Sequence, residues 1–263
     1  MAAENRAHRC PDRHFALALI VTSLALGACA DREPYRRPST VDERAAGDAL
    51  AREMVNAIGG AQAWNDIAFV SFEFVASFAG VEAGRRRHDW DKARGLLRVT
   101  SGEGDDAEIT YLDLWDRGGV AHASERALTG DELQERLDTA WAHFVNDSYW
   151  FIAPFKVFDD GAVRARVDDK LRITFEGAVG LTPGDAYLYE LDASRRPKGW
   201  SFLLESGLSG TMEFQEPRTI EGVTVFAKKV TSGGHGVTFP HIELAKTTRD
   251  EPFAPLFARR AAQ

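Results

Sequence analysis

Apolar and polar residues alternate over Ala68–Phe78, with Val70, Phe72, Phe74, Ala76 and Phe78 on one side and Ser71, Glu73 and Ser77 on the other. A period of two marks a strand with one buried face. Arg85–Asp91 reads as the returning strand, with His88 and Trp90 on one face and Arg87, Asp89 and Asp91 on the other. The pattern continues through Leu96–Ser101, Glu108–Trp115 and Val120–Ala123. It resumes after residue 160 in Ala162–Val167, Leu171–Glu176, Ala186–Asp192, Gly199–Glu205, Gly210–Phe214, Val223–Val230 and Phe239–Lys246. Gly, Pro and Asp turns separate these runs, so about ten antiparallel strands are expected.

Two stretches change period. Ala46, Leu50, Met54, Val55 and Ile58 share one helical face, after the capping-box pattern Thr40-Val41-Asp42-Glu43 and before Gly59-Gly60. Leu133, Leu137, Trp141 and Phe144 fit a second helix, opened by Thr129 with Glu132 three residues on. Asn146-Asp147-Ser148 are turn formers, so this helix is expected to end there and run into an aromatic loop closing at Pro154. Trp141–Phe158 then reads as a cover laid on a curved sheet. Arg249–Gln263 lacks a pattern and reads as a loose tail.

With 44% apolar residues the chain can bury a substantial core, and 27% charged residues with a mean hydropathy of -0.29 rule out a multi-span membrane protein. The net charge of -8 opposes nucleic-acid binding, which needs a basic face. Both cysteines, Cys10 and Cys29, precede the strands, so the folded body has no disulfide, thiolate nucleophile or Cys-ligated zinc.

The N-terminus is more specific. Arg6, Arg9 and Arg13 precede Phe15–Ala30, which is uncharged but short of the ~20 residues a spanning helix needs. Leu26-Gly27-Ala28-Cys29 resembles the lipobox of bacterial lipoproteins. That resemblance implies cleavage before Cys29, acylation of Cys29 and attachment to a membrane facing the periplasm. Ala30 after the cysteine, with Asp31 one place later, leans toward the outer membrane under the enterobacterial sorting rule. An ordinary signal peptide or a signal anchor is the plainer alternative. Ala30–Thr40, with two prolines and five charges, reads as a tether. The expected layout is a signal over 1–28, a lipidated cysteine and tether over 29–40, a single domain over 41–250 and a tail over 251–263.

The order of elements, an N-terminal helix, a long meander and an inserted helical plug, resembles the LolA/LolB-like half-barrels, periplasmic carriers and acceptors of lipoproteins. Four local pieces are similar to a group of uncharacterised bacterial lipoproteins. These are Ile58-Gly59-Gly60 with Ala63-Trp64, the His88-Asp89-Trp90-Asp91 strand, Asn146–Trp150 with Pro154-Phe155-Lys156, and Val179–Asp185. The resemblance implies a mainly β (α+β) half-barrel whose concave face is covered by the inserted helix and aromatic loop.

Phe72, Phe74, Phe78, Trp90, Tyr149, Trp150, Phe151 and Phe155 are the candidates to line a cavity between sheet and cover, where a lipid, an acylated protein or another apolar ligand would sit. A filled aromatic core is the competing reading, in which the anchor and the outer surface carry the function. No HExxH, GxSxG, Walker or GxGxxG sequence occurs, so no metal, catalytic residue or cofactor is assigned. The remaining enzymatic reading is a hydrolase using His88 with a nearby carboxylate. Arg85 and Arg87 share a strand face with Asp89 and Asp91, which favours salt-bridged surface arginines over an anion grip. Nothing in the pattern sets the oligomeric state.

Overall fold

The computed structural model describes residues 32–102, 104, 107–123, 126–177 and 182–262. The signal segment, Cys29 and the Val179–Leu181 part of the fourth local resemblance lie outside them. Among the described residues fourteen strands form one open antiparallel sheet, thirteen of them in the order β6-β5-β4-β3-β2-β1-β13-β12-β11-β10-β9-β8-β7 and β14 pairing with β1 off that path. The first meander is β1 (Phe69–Phe78), β2 (Val81–Asp91), β3 (Leu96–Ser101), β4 (Glu108–Asp113), β5 (Gly119–Ala123) and β6 (Arg126–Ala127). The second is β7 (Ala162–Val167), β8 (Lys170–Phe175), β9 (Ala186–Leu191), β10 (Pro197–Leu203), β11 (Ser209–Ile220), β12 (Val223–Val230), β13 (Gly236–Thr238) and β14 (Ile242–Ala245). Between them runs α4 (Gly130–Ile152), which links the two outermost strands of the sheet. Before them lie α1 (Glu33–Arg36), α2 (Val41–Ala57) and α3 (Gly60–Asp66). This is the mainly β, α+β half-barrel expected.

The number and bounds of the strands differ from the expected set for local reasons. Pro240 has no N–H, so the last strand divides: β13 pairs with Val75–Ser77 of β1 and β14 with Phe69–Phe72. β11 runs past its expected end, keeping its register with β12 on either side of Glu216, which takes φ 54°, from the pair Gln215–Lys228 to the pair Pro217–Phe226. β2 starts four residues early because Ala79-Gly80, at φ 50° and 79°, form a two-residue hairpin turn.

The helices correct three expectations. The α2 capping box forms, with Thr40 Oγ1 accepting from Glu43 N at 3.2 Å and Glu43 Oε2 accepting from Thr40 N at 2.9 Å. At Thr129 no side-chain cap forms, because Glu132 is held by Arg126 at 2.7 and 2.8 Å. Nor does α4 stop at Asn146: the helix continues for 23 residues and gives way to a 3-10 turn, Ala153–Phe158, in place of a loop. Asn, Asp and Ser side chains favour turns where they bond their own backbone. Here the Asp147 carboxylate is taken by the sheet and by the Asn146 side chain. The tail is a helix, α5 (Ala254–Ala261), anchored by Phe253 and Leu256, both fully buried against Phe69 and Leu96. Part of the tether is docked as well, with Tyr35 of α1 packed on Val167, Ala186, Leu188 and Leu203.

Alternation sorts the two sheet faces. Leu171, Ile173, Tyr187, Tyr189, Trp200 and Phe202 point into the main core under α2 and α4. Arg172, Ala186, Leu188 and Leu203 take the opposite face. Edge strand β7 is covered by α2, which approaches so closely at Gly47 that a Cβ there would lie 2.5 Å from Ala165 Cα. Among the described residues no helix is long and apolar enough to cross a membrane.

Candidate functional site

The concave face is built from cross-strand neighbours of β1 and β2. Register places Arg86 opposite Phe74, His88 opposite Phe72 and Trp90 opposite Val70, all facing α4. The polar pair lands under Asp147 of the helix. Arg86 grips that carboxylate with both ends of its fork, Nε to Oδ2 at 2.7 Å and Nη2 to Oδ1 at 2.9 Å. His88 Nε2 lies 2.8 Å from the same Oδ2. Both His88 and Asp147 are fully buried. Burial pushes the Asp147 carboxyl up; the hydrogen bonds and charges of His88 and Arg86 outweigh it and hold the group at about 2. His143, one helical turn before Asp147, is lowered to about 4, by burial and then by the Arg86 charge.

Around this cluster the rings touch one another. Phe72 stacks between Phe151, at a centroid distance of 4.6 Å, and His88, at 4.8 Å. Phe74 meets Phe239 edge-on at 6.0 Å and carries the Arg86 guanidinium 4.9 Å above its ring. Trp90 packs on Phe144 at 5.1 Å and Trp64 at 6.2 Å, and Phe155 stacks on Trp64 at 5.3 Å. Tyr149 and Trp150 lie against Trp200 at 6.0 and 5.3 Å. Phe78 stands apart at the end of β1, on His235 at 4.4 Å. Seven of the eight candidate aromatics thus share one continuous core, and Phe78 does not join it.

Sequence reading passed over the sheet side of this core. Tyr187, Tyr189, Trp200, Phe214 and Phe239 supply most of the rings that α4 packs on. The signal was present in the alternation Tyr187-Leu188-Tyr189 and Trp200-Ser201-Phe202. Lys229 was also missed. It sits on β12, fully buried, with its ammonium 4.4 Å from the Phe214 centroid and 5.0 Å from that of Trp200. It donates to the main-chain carbonyl of Trp150. Burial lowers its pKa to about 7.

Three polar atoms under α4, His88 Nδ1, Tyr189 Oη and Trp200 Nε1, are buried without a hydrogen-bond partner. A cavity opens beside Arg86 and His143 and another beside Arg172, and neither is lined by His88 or Trp200. His88 therefore has its carboxylate but no opening to solvent, half of what the hydrolase reading requires. On the opposite face Asp89 accepts from Ser71 at 2.7 Å and from Arg87 at 3.2 Å, and Arg85 pairs with Glu73 and Glu82.

The chain matches no protein-family model and no curated protein. Its fold is similar to that of a solved domain from Vibrio parahaemolyticus described as an outer membrane lipoprotein-sorting protein, with a TM-score of 0.38 and 10% identity. The match covers 82% of this chain and 100% of that one. No residue role is carried over from it.

Proposed function

We propose that this protein is a lipid-anchored component of the bacterial envelope that receives an acyl chain or another apolar ligand between α4 and the concave face of its sheet, without a chemical step. Acylation of Cys29 in the lipobox would hold it at the membrane, the outer one in preference to the inner, facing the periplasm. The observation that carries the binding reading is the unmet polar capacity inside an otherwise apolar core. His88 Nδ1 and Trp200 Nε1 have no partner, although buried polar atoms almost always have one. A ligand with an apolar chain and an ester, hydroxyl or carboxyl end would supply a partner to one of them.

The way the cover is held supports the same reading. Across the aromatic stretch α4 is fixed to the sheet through Asp147, held by the half-buried Arg86, and through the Trp150 carbonyl, held by the buried Lys229. Apolar residues of similar volume usually stabilise a permanent core at least as well as a buried ion pair. Directional polar contacts suit a helix that must leave the sheet and return to one register.

A filled-core protein acting through its surface is the second reading, favoured by the direct ring contacts of Phe72, Phe151, Tyr149 and Trp200. Titrating the mature chain with a brominated long-chain fatty acid separates the two. The binding reading expects saturable quenching of the tryptophan emission that is reduced in Trp200→Phe. Absence of quenching at several-fold excess supports the filled core.

A further inference from the structure

A second site lies on the opposite face of the sheet, and it does not depend on whether the concave side opens. Alternation along β8 sends Leu171 and Ile173 into the core and Arg172 outward, yet Arg172 is only 3% exposed, because α1 and the segment after it lie over it. Its Nη1 donates to Pro34 O at 3.0 Å and its Nη2 to Ser39 Oγ. Neither acceptor is charged, and no described carboxylate comes within ion-pair distance of it. A cavity of 240 Å³ opens beside it, lined also by Arg36, Arg37, Arg44, Ser39 and Glu176.

The charges around this cavity do not balance. Arg37 is matched by Glu43 at 2.6 Å and Glu33 at 3.5 Å. Arg44 reaches Glu176 only at 3.6 Å, with both side chains more than half exposed. Arg36 donates to the Gly184 carbonyl. Arg172 is left as a buried cation without an ion-pair partner among the described residues; Glu43 and Glu33 act on it only from a distance, and burial followed by the Arg37 charge outweighs them and lowers its pKa. Uncompensated buried charge is costly, and a folded protein keeps it where something supplies the counter-charge. Guanidinium groups converging on one small space match the oxygens of a phosphate group, which accept paired hydrogen bonds.

We propose that the Arg172 cavity is a binding site for a phosphate group, with Arg172 as the buried anchor and Arg44 and Arg36 closing over the ligand from the rim. Two sources share that chemistry. One is the head group of an anionic phospholipid, to which the chain just after Cys29 would bring the cavity close. The other is a free phosphorylated solute.

The test is calorimetric titration of the mature chain with two probes, inorganic phosphate and dihexanoyl phosphatidylglycerol below its micellar concentration. Dihexanoyl phosphatidylcholine is the zwitterionic control. Saturable one-to-one binding of either anionic probe is expected, weakened about tenfold in Arg44→Gln and lost in Arg172→Met. Binding of inorganic phosphate identifies a solute site; binding of phosphatidylglycerol alone identifies a head-group site. Arg172→Met removes a buried group and could fail to fold, so Arg44→Gln, at an exposed position, carries the decision. No saturable binding of either probe, or undiminished binding by Arg44→Gln, overturns the proposal.

Discussion

The ammonium of Lys229 hydrogen-bonds the carbonyl of Trp150, and the reason lies four residues further along the chain. A helical carbonyl is normally met by the N–H at i+4, but that position is Pro154, which has none. Strand β12 thus supplies from across the core the donor that the end of α4 lacks. The contact ties the most aromatic part of the cover to the middle of the sheet.

This arrangement predicts a pH dependence. The Lys229 amine has a pKa of about 7 in the fold, against the 10.5 of an ordinary lysine. The unfolded chain therefore binds the proton more readily. Stability should fall as pH drops from about 10.5 to about 7 and change no further from this group below that. The full effect is on the order of a few kcal/mol, since a tenfold change in proton affinity is worth about 1.4 kcal/mol. Urea denaturation of the wild type should show higher stability at pH 9.5 than at pH 7, and Lys229→Met should remove most of that difference.

Asp147 gives the opposite sign. Its carboxyl, held at about 2 against an ordinary 3.8, stabilises the fold above about pH 4 and loses that contribution as pH falls through about 2. Asp147→Asn should cost about 1.5–3 kcal/mol at pH 7, because it removes the charged acceptor shared by His88 and the half-buried Arg86. Removing both partners, as Arg86→Met with Asp147→Leu, should be markedly less damaging than the two single changes summed. A double-mutant cycle by chemical denaturation reads this directly.

His143 reports on the same cluster from its edge. Its pKa of about 4 arises from burial and then from the Arg86 charge. The ring should therefore be neutral at pH 6, where an exposed histidine is mostly protonated. Proton NMR titration of His143 should show a higher pKa in Arg86→Gln than in the wild type.

Gly47 sets the distance between α2 and the edge of the sheet. The atoms a Cβ would meet there are the main chain of Ala165, at 2.5 to 2.7 Å, and backbone cannot rotate aside. Gly47→Ala should lower stability by about 1–3 kcal/mol despite the better helix propensity of alanine. Thermal denaturation checks it.

Much of the architecture was legible because β1 alternates cleanly and α2 carries its own cap. The placing of His88 away from Asp89 and Asp91 was legible for the same reason. What failed were inferences from side chains whose partners lie far off in sequence. Asn146-Asp147-Ser148 reads as a turn only until Arg86 and His88 are known to face Asp147, about sixty residues earlier. Lys229 looks like a surface lysine on an alternating strand until the rings of Trp200 and Phe214 and the end of α4 enclose it. The tail 251–263 is too short to show a convincing period, so the burial of Phe253 and Leu256 was not readable.

The measurement that bears most directly on the binding reading is native mass spectrometry of the mature chain purified from its own envelope, before and after organic extraction. Extraction removes non-covalent lipid and leaves any acyl group on Cys29 in place. The account predicts a stoichiometric adduct of acyl-chain mass that extraction releases, and its loss when the Trp200 and Trp150 rings are replaced by smaller apolar side chains. A single mass, unchanged by extraction and by those replacements, would contradict it and leave the rings under α4 as a closed core.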